Sequence, residues 1–134
     1  MHAGISALVR DLNHLYREMP ALHEGDCEAE GFAWIDCTDA DSSVISYVRR
    51  AIDPDDFMLI VCNFTPVVRS VYRVGVPRAG VYQEVLNTDS TYYGGSNVGN
   101  GTSIQTEDVS AHGHPQSLGL TLPPLGTLVL RPVQ

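Results

Sequence analysis

The chain has 134 residues, 43% of them hydrophobic, and sixteen acidic residues against eight basic ones give it a net charge of −8. That length suits one domain able to bury about two-thirds of the surface its unfolded form exposes, and no apolar run approaches the roughly 20 residues a membrane helix needs. Every basic residue is an arginine, and a surface this acidic repels nucleic-acid phosphates and anionic lipid, so neither nucleic acid nor a membrane is an expected partner.

Ile5, Leu8, Val9, Leu12, Leu15 and Tyr16 recur at three- and four-residue steps and predict an amphipathic helix, which Pro20 stops at or before Met19. No other helical period of any length follows. The opening carries no charged segment leading into an apolar stretch, so a secretory leader is not indicated. Cys27, Cys37 and Cys62 form an odd set without C-x-x-C spacing, which argues against a disulfide framework and a structural zinc site and fits reduced thiols in a cytoplasm. Cys62 sits in an apolar run and reads as a small buried hydrophobe.

After Pro20 the pattern changes to short β-rich runs at residues 32–36, 44–50, 57–64, 67–76, 81–86, 103–109, 118–122 and 127–131. Their spacing predicts an all-β fold, an antiparallel sandwich preceded by one helix. Residues 57–64 are almost continuously apolar, as a central strand would be, while Val68, Tyr72, Val74 and Val76 alternate against Arg69, Arg73 and Gly75 as a half-exposed strand does. Leu118, Leu120 and Leu122 point one way. Turn chemistry separates the runs at Asp53-Pro-Asp-Asp56, Pro77-Arg-Ala-Gly80 and Pro123-Pro-Leu-Gly126, the last two reading as tight, hairpin-like connections.

A sandwich of this size is usually complete without a helix. The helix either packs across the outside of the sandwich or ends a preceding domain. In the second case Ile5, Leu8 and Leu12 keep partial exposure and can drive weak dimerisation.

Between Val85 and Gly101 the chain is polar and glycine-rich with paired tyrosines, and it reads as an extended loop of a length uncommon without a function. Pyranose rings offer flat C–H faces to aromatic rings, while their hydroxyls need amide and carboxylate partners. Tyr92, Tyr93, Asn87, Asp89 and Asn97 are therefore the candidates for sugar contact, with Trp34 as a separate aromatic platform. Trp34 alternates with Phe32 and reads equally as core or interdomain packing, and Tyr93 equally as the loop's anchor. His112 and His114 read as members of a loop and not as metal ligands. Neither a Gly-x-Ser-x-Gly elbow nor a phosphate-cradling glycine loop occurs, so neither a catalytic set nor a cofactor is expected.

Several segments together carry a family resemblance: Leu8-Val-Arg-Asp-Leu-Asn13, Pro20-Ala-Leu-His-Glu24, Gly31-Phe-Ala-Trp-Ile35, Val61-Cys-Asn-Phe-Thr-Pro66, Gly75-Val-Pro-Arg-Ala-Gly80, Asn87-Thr-Asp-Ser90, Tyr93-Gly-Gly-Ser-Asn97 and Leu122-Pro-Pro-Leu125. In order and spacing the chain resembles the C-terminal region of bacterial 1,4-α-glucan (glycogen) branching enzymes of the α-amylase superfamily. The resemblance implies a cytoplasmic parent that cuts an α-1,4 bond and forms an α-1,6 branch by retaining chemistry, with its carboxylates on an upstream (β/α)8 barrel. It implies that residues 1–24 are the tail of that barrel and its connection, and residues 25–134 a non-catalytic, Greek-key-type C-terminal domain. The barrel would be its partner and α-1,4-glucan or glycogen a possible one. A free-standing carbohydrate-binding module and an immunoglobulin-like interaction module remain as alternatives.

Overall fold

A computed structural model describes residues 3–133. One helix, α1 (Ala3–Glu18), precedes eight strands: β1 (Phe32–Asp39), β2 (Val44–Arg50), β3 (Phe57–Asn63), β4 (Arg69–Gly75), β5 (Val81–Asn87), β6 (Ile104–Gln105), β7 (Ser117–Leu122) and β8 (Thr127–Val133). All pairings are antiparallel, in a large sheet of order β1-β2-β3-β8-β5-β6 and a small one of β4-β7. The architecture is the expected antiparallel sandwich with one amphipathic helix.

The continuous apolar run of β3 has a direct cause. Phe57, Leu59 and Val61 face the small sheet, in the core shared with Val44, Val48, Leu118, Leu120 and Leu122. Met58, Ile60 and Cys62 face the opposite way, in a second core shared with Leu86, Val129 and the α1 residues Leu8 and Leu15. A strand covered on both faces loses the period-two pattern, because neither face is left to water. The helix therefore lies across the outer face of the large sheet, making a third layer.

Two connections differ from expectation. Residues 77–80 and 123–126 do not close hairpins, because β4 and β7 lie in the small sheet while β5 and β8 lie in the large one. Each turn instead carries the chain from one sheet to the other; the acidic turn at 53–56 is the one that closes a hairpin, between β2 and β3. The expected strand at 103–109 also shortens to β6. Beyond it the Thr106 amide donates to Gly80 O and Glu107 pairs with Ser117 of the small sheet, so this segment too crosses between layers.

Val71 sits at φ +53° within the bulge of β4 and is 74% exposed. A β-branched residue in left-handed backbone is strained. Val71→Gly is expected to stabilise the domain by about 1 kcal/mol through relief of that strain, measurable as a higher urea midpoint. An unchanged or lower midpoint would place the strain elsewhere.

Candidate functional site

Residues 88–101 form a loop held by its own side chains, by neighbouring side chains of β5 and by backbone turns. Asp89 accepts the Ser96 hydroxyl at 2.7 Å, the Val98 amide at 2.9 Å and the Ser96 amide at 3.1 Å. Burial acts to raise the carboxyl's pKa, but these three donors outweigh it and hold Asp89 below the usual carboxylate range. Asn87 donates to Val98 O at 2.8 Å and accepts from the Asp89 amide at 2.8 Å, while Asn97 takes left-handed backbone at φ +65°. Ser90 caps the 3-10 turn Thr91–Tyr93 by accepting the Tyr92 amide, and Gly94 closes that turn at φ +83°. Asn100 exchanges two hydrogen bonds with Thr121 of β7 and donates to Glu84 of β5, so the loop also ties one sheet to the other.

The structure thus gathers Asn87, Tyr92, Tyr93 and Asn97 around one cleft of about 220 Å³. Their side chains are not equivalent. The Asn87 and Asp89 polar groups brace the loop, whereas Tyr92 is 87% exposed. Tyr93 turns the other way and donates from its hydroxyl to Asp11 of α1 at 2.6 Å. Beside that bond, Gly4 of α1 lies so close to the Tyr93 backbone that a Cβ there would collide with it. The loop therefore clamps the N-terminal half of α1, and Tyr93 is its anchor.

The other end of α1 is pinned by a second set. Tyr16 donates to Asp26, and Arg49 of β2 reaches both Asp26 and the Leu22 carbonyl. The Tyr93 hydroxyl holds the Asp11 carboxyl below its ordinary range, and the Tyr16 hydroxyl, with Arg49, does the same for Asp26. Depressed carboxyls contribute stability that is present above their unfolded value of about 3.9 and lost as pH falls through the folded one. Melting curves are accordingly expected to shift downward below about pH 4, and in Asp11→Asn with Tyr93→Phe the acid shift is expected to shrink. At neutral pH, Tyr93→Phe alone is expected to cost about 1 kcal/mol, with faster amide exchange confined to α1 and the loop.

Held in this way, α1 buries only part of its apolar surface. The single stripe expected from the sequence divides in two. Leu8 and Leu15 pack on the sheet, whereas Ile5, Val9, Leu12 and Tyr16, spaced four, three and four residues apart, remain 40–63% exposed. The expected partial exposure of Ile5, Leu8 and Leu12 is what the structure shows, and the helix also packs on the sandwich. Trp34 lies on this same outer face, 52% exposed, directly across from Tyr47 of β2. It is therefore remote from the inter-sheet core, which its neighbours Ala33 and Ile35 join instead.

The remaining polar clusters read as struts. His112 accepts the Gly75 amide at Nδ1 (3.0 Å), and its Nε2 lies 3.2 Å from Asp36 Oδ2, so both ring nitrogens are engaged in joining β1 to β4. Burial lowers the His114 pKa. Cys62 is half-buried, its thiol pushed up by burial, and Cys27 and Cys37 are exposed free thiols. Among the described residues no group of three potential metal ligands occurs, and no helix is long and apolar enough to cross a membrane. Of the groups that hold α1, Asp26 and Arg49 carry no signal in the sequence, and the loop reads there as a candidate sugar contact and not as a clamp on the helix. The Phe32-x-Trp34 alternation places both rings on one face of β1 but leaves open whether that face is core or outer surface.

The family model for the alpha amylase C-terminal all-beta domain matches residues 34–133. Over 131 residues, 98% of the chain, the sequence is 56% identical to the 1,4-alpha-glucan branching enzyme of Rhodospirillum rubrum and 57% identical to that of Methylobacillus flagellatus. It is 60% identical to the enzyme of the same name from Rubrobacter xylanophilus over 129 residues, 96% of the chain. The chain spans about 18% of the length of these relatives.

Proposed function

The chain belongs to the family of the α-amylase C-terminal all-β domain, and from that premise we propose that it is the non-catalytic accessory domain of a 1,4-α-glucan branching enzyme. In this reading the parent enzyme cleaves α-1,4-glucan and forms α-1,6 branches in cytoplasmic glycogen synthesis. Residues 1–24 are the tail of its (β/α)8 barrel with the connection, and residues 25–134 are the sandwich that braces the barrel.

The observation that carries this reading is the bare stripe of Ile5, Val9, Leu12 and Tyr16. It runs about 16 Å along a helix already fixed to the sandwich. These side chains are each about half exposed, and covering them would contribute roughly 4 kcal/mol at about 1 kcal/mol each. A contact of that size suits a domain boundary within one polypeptide better than a free surface. The branching enzymes similar to this chain continue for more than four-fifths of their length outside the matched part, which supplies a neighbour.

The test has two arms. The chain alone is expected to leave the iodine stain of amylose unchanged, and branching by the chain alone would overturn the non-catalytic reading. In the complete enzyme, Val9→Asp is expected to lower the temperature at which branching activity is lost while leaving kcat at low temperature within about twofold. No thermal effect would remove the brace.

Tyr92 favours a second contribution. Its free ring beside the Asn87–Asn97 cleft supports contact with a glucan chain. Amide shifts around Tyr92 on titration with maltoheptaose would bear this out, and none at millimolar sugar would reject it.

A further inference from the structure

The outer face of the large sheet holds a second apolar feature beside α1. Trp34, Phe32 and Tyr47 form one aromatic cluster: Phe32 stacks on Tyr47 with centroids 5.1 Å apart, and Trp34 meets both rings edge-on, at 5.0 and 5.9 Å. Between this cluster and the helix runs a groove of about 360 Å³, whose apolar lining includes Leu12 and Tyr16 of α1 and Tyr47, Ile60 and Val129 of the sheet. Leu12 and Tyr16 belong to the bare stripe as well. Stripe, groove and cluster are therefore one continuous apolar surface.

Its chemistry selects the occupant. A glucan groove needs hydrogen-bonding groups free to meet sugar hydroxyls. Here Arg49 is committed to Asp26 and the Leu22 carbonyl, Tyr16 to Asp26 and the Thr127 hydroxyl to the Cys62 sulfur, which leaves the Asn13 amide and the Tyr47 hydroxyl as the polar groups of the lining that make no hydrogen bond among the described residues. What remains is mostly hydrocarbon and aromatic surface, of the kind that anchors a protein interface.

The two walls also differ in origin. The match to the β-domain family begins at Trp34, whereas the match to the branching enzymes, at up to 98% of the chain, takes in α1 as well. The groove is thus assembled jointly by a segment outside the β-domain and by the domain itself. Those relatives are more than five times as long as this chain.

We propose that the groove and the Trp34 cluster receive an apolar segment of the catalytic portion of the longer protein. The domain boundary then runs without a break from α1 onto β1 and β2, with Trp34 as an interface anchor and not a sugar platform. This rests on the accessory-domain reading, and the test separates the two.

Hydroxyl-radical footprinting compares oxidation rates in this chain, at concentrations where it is monomeric, with those in the complete enzyme. Trp34 and Tyr47 are expected to oxidise at least threefold more slowly in the complete enzyme, together with the peptide spanning Ile5 to Tyr16. Protection of the helix peptide with less than threefold change at Trp34 overturns this proposal and leaves the accessory reading standing. Protection of neither overturns both. Protection of Trp34 that appears only when maltoheptaose is added overturns the proposal in favour of a glucan platform. Protection that grows with concentration in the chain alone overturns it in favour of a second copy.

Discussion

Truncation of Tyr82 to alanine is expected to destabilise the domain by about 4 kcal/mol, which is a large part of the 5–15 kcal/mol that holds a typical domain folded. Tyr82 is fully buried, its ring 6.2 Å from that of Phe57, and its hydroxyl donates to Arg78 O at 2.8 Å. Deleting the ring removes burial and leaves a cavity between the sheets, at the turn where the chain passes from β4 to β5. Tyr82→Phe keeps the ring and is expected to cost only about 1 kcal/mol. Urea unfolding of the two variants checks the ratio, and equal costs would mean that the hydrogen bond, not the ring, holds the crossing. Burial also pushes the Tyr82 hydroxyl up to about 12, with the Arg78 contacts opposing. A group whose folded pKa is raised contributes stability below its unfolded value near 10 and loses it as pH rises through the folded one. Tyr82→Phe should therefore flatten the loss of stability between about pH 10 and 12.

Asn63→Ala is expected to cost about 3 kcal/mol for a different reason, the stranding of polar groups. Asn63 is buried at the end of β3, and its amide nitrogen donates to both Val67 O and Pro123 O at 2.9 Å. Its oxygen accepts from the Thr65 hydroxyl at 2.7 Å and the Thr65 amide at 3.1 Å. One side chain thus joins the turn after β3 to the crossing between β7 and β8. Removing it strands the buried Pro123 carbonyl and takes a partner from the Val67 carbonyl and the Thr65 amide, which lie nearer the surface. Asn63→Asp keeps the shape but replaces both donors with acceptors facing two carbonyls, and it is expected to cost at least as much. Thermal melting reads the loss, and hydrogen exchange should show it at Thr65 and Leu125, whose amide donates to Thr65 O. A change below about 1 kcal/mol would mean that water substitutes freely there.

The strands were legible because their burial is local. Leu118, Leu120 and Leu122 alternate with residues on the other face, and all three are buried as that alternation requires. What was not legible was which sheet each strand joins. Pro77–Gly80 and Pro123–Gly126 carry the residues of a tight turn, and the same residues serve a crossing between layers, because proline and glycine set local backbone angles and not the direction of the strand beyond. The two-sided helix was half visible. The spacing of Ile5 to Tyr16 showed an apolar arc, but the offset by one residue that sends Leu8 inward and Val9 outward depends on where Tyr93 and Asp26 hold the helix. Those partners lie 82 and 10 residues away in sequence, a separation no periodicity records. Of the loop candidates' division into braces, anchor and free ring, the sequence offered only the anchoring option for Tyr93; the rest came with the hydrogen bonds.

The position of β8 in the large sheet has a consequence for how the chain comes to exist. β8 lies between β3 and β5, and β3 precedes it by more than sixty residues, with Cys62 paired to Thr127. During vectorial synthesis β1, β2 and β3 can assemble as a meander, but β3 then presents an open, strongly apolar edge until β8 is released from the ribosome. That interval is one of exposure to wrong pairing, since non-local strand pairing is slow and unpaired edges invite aggregation. One of the two central strands of the large sheet is thus the last of the eight to be made, so the sheet closes late, and the yield of the domain in the cell should depend on what shields β3 while it waits.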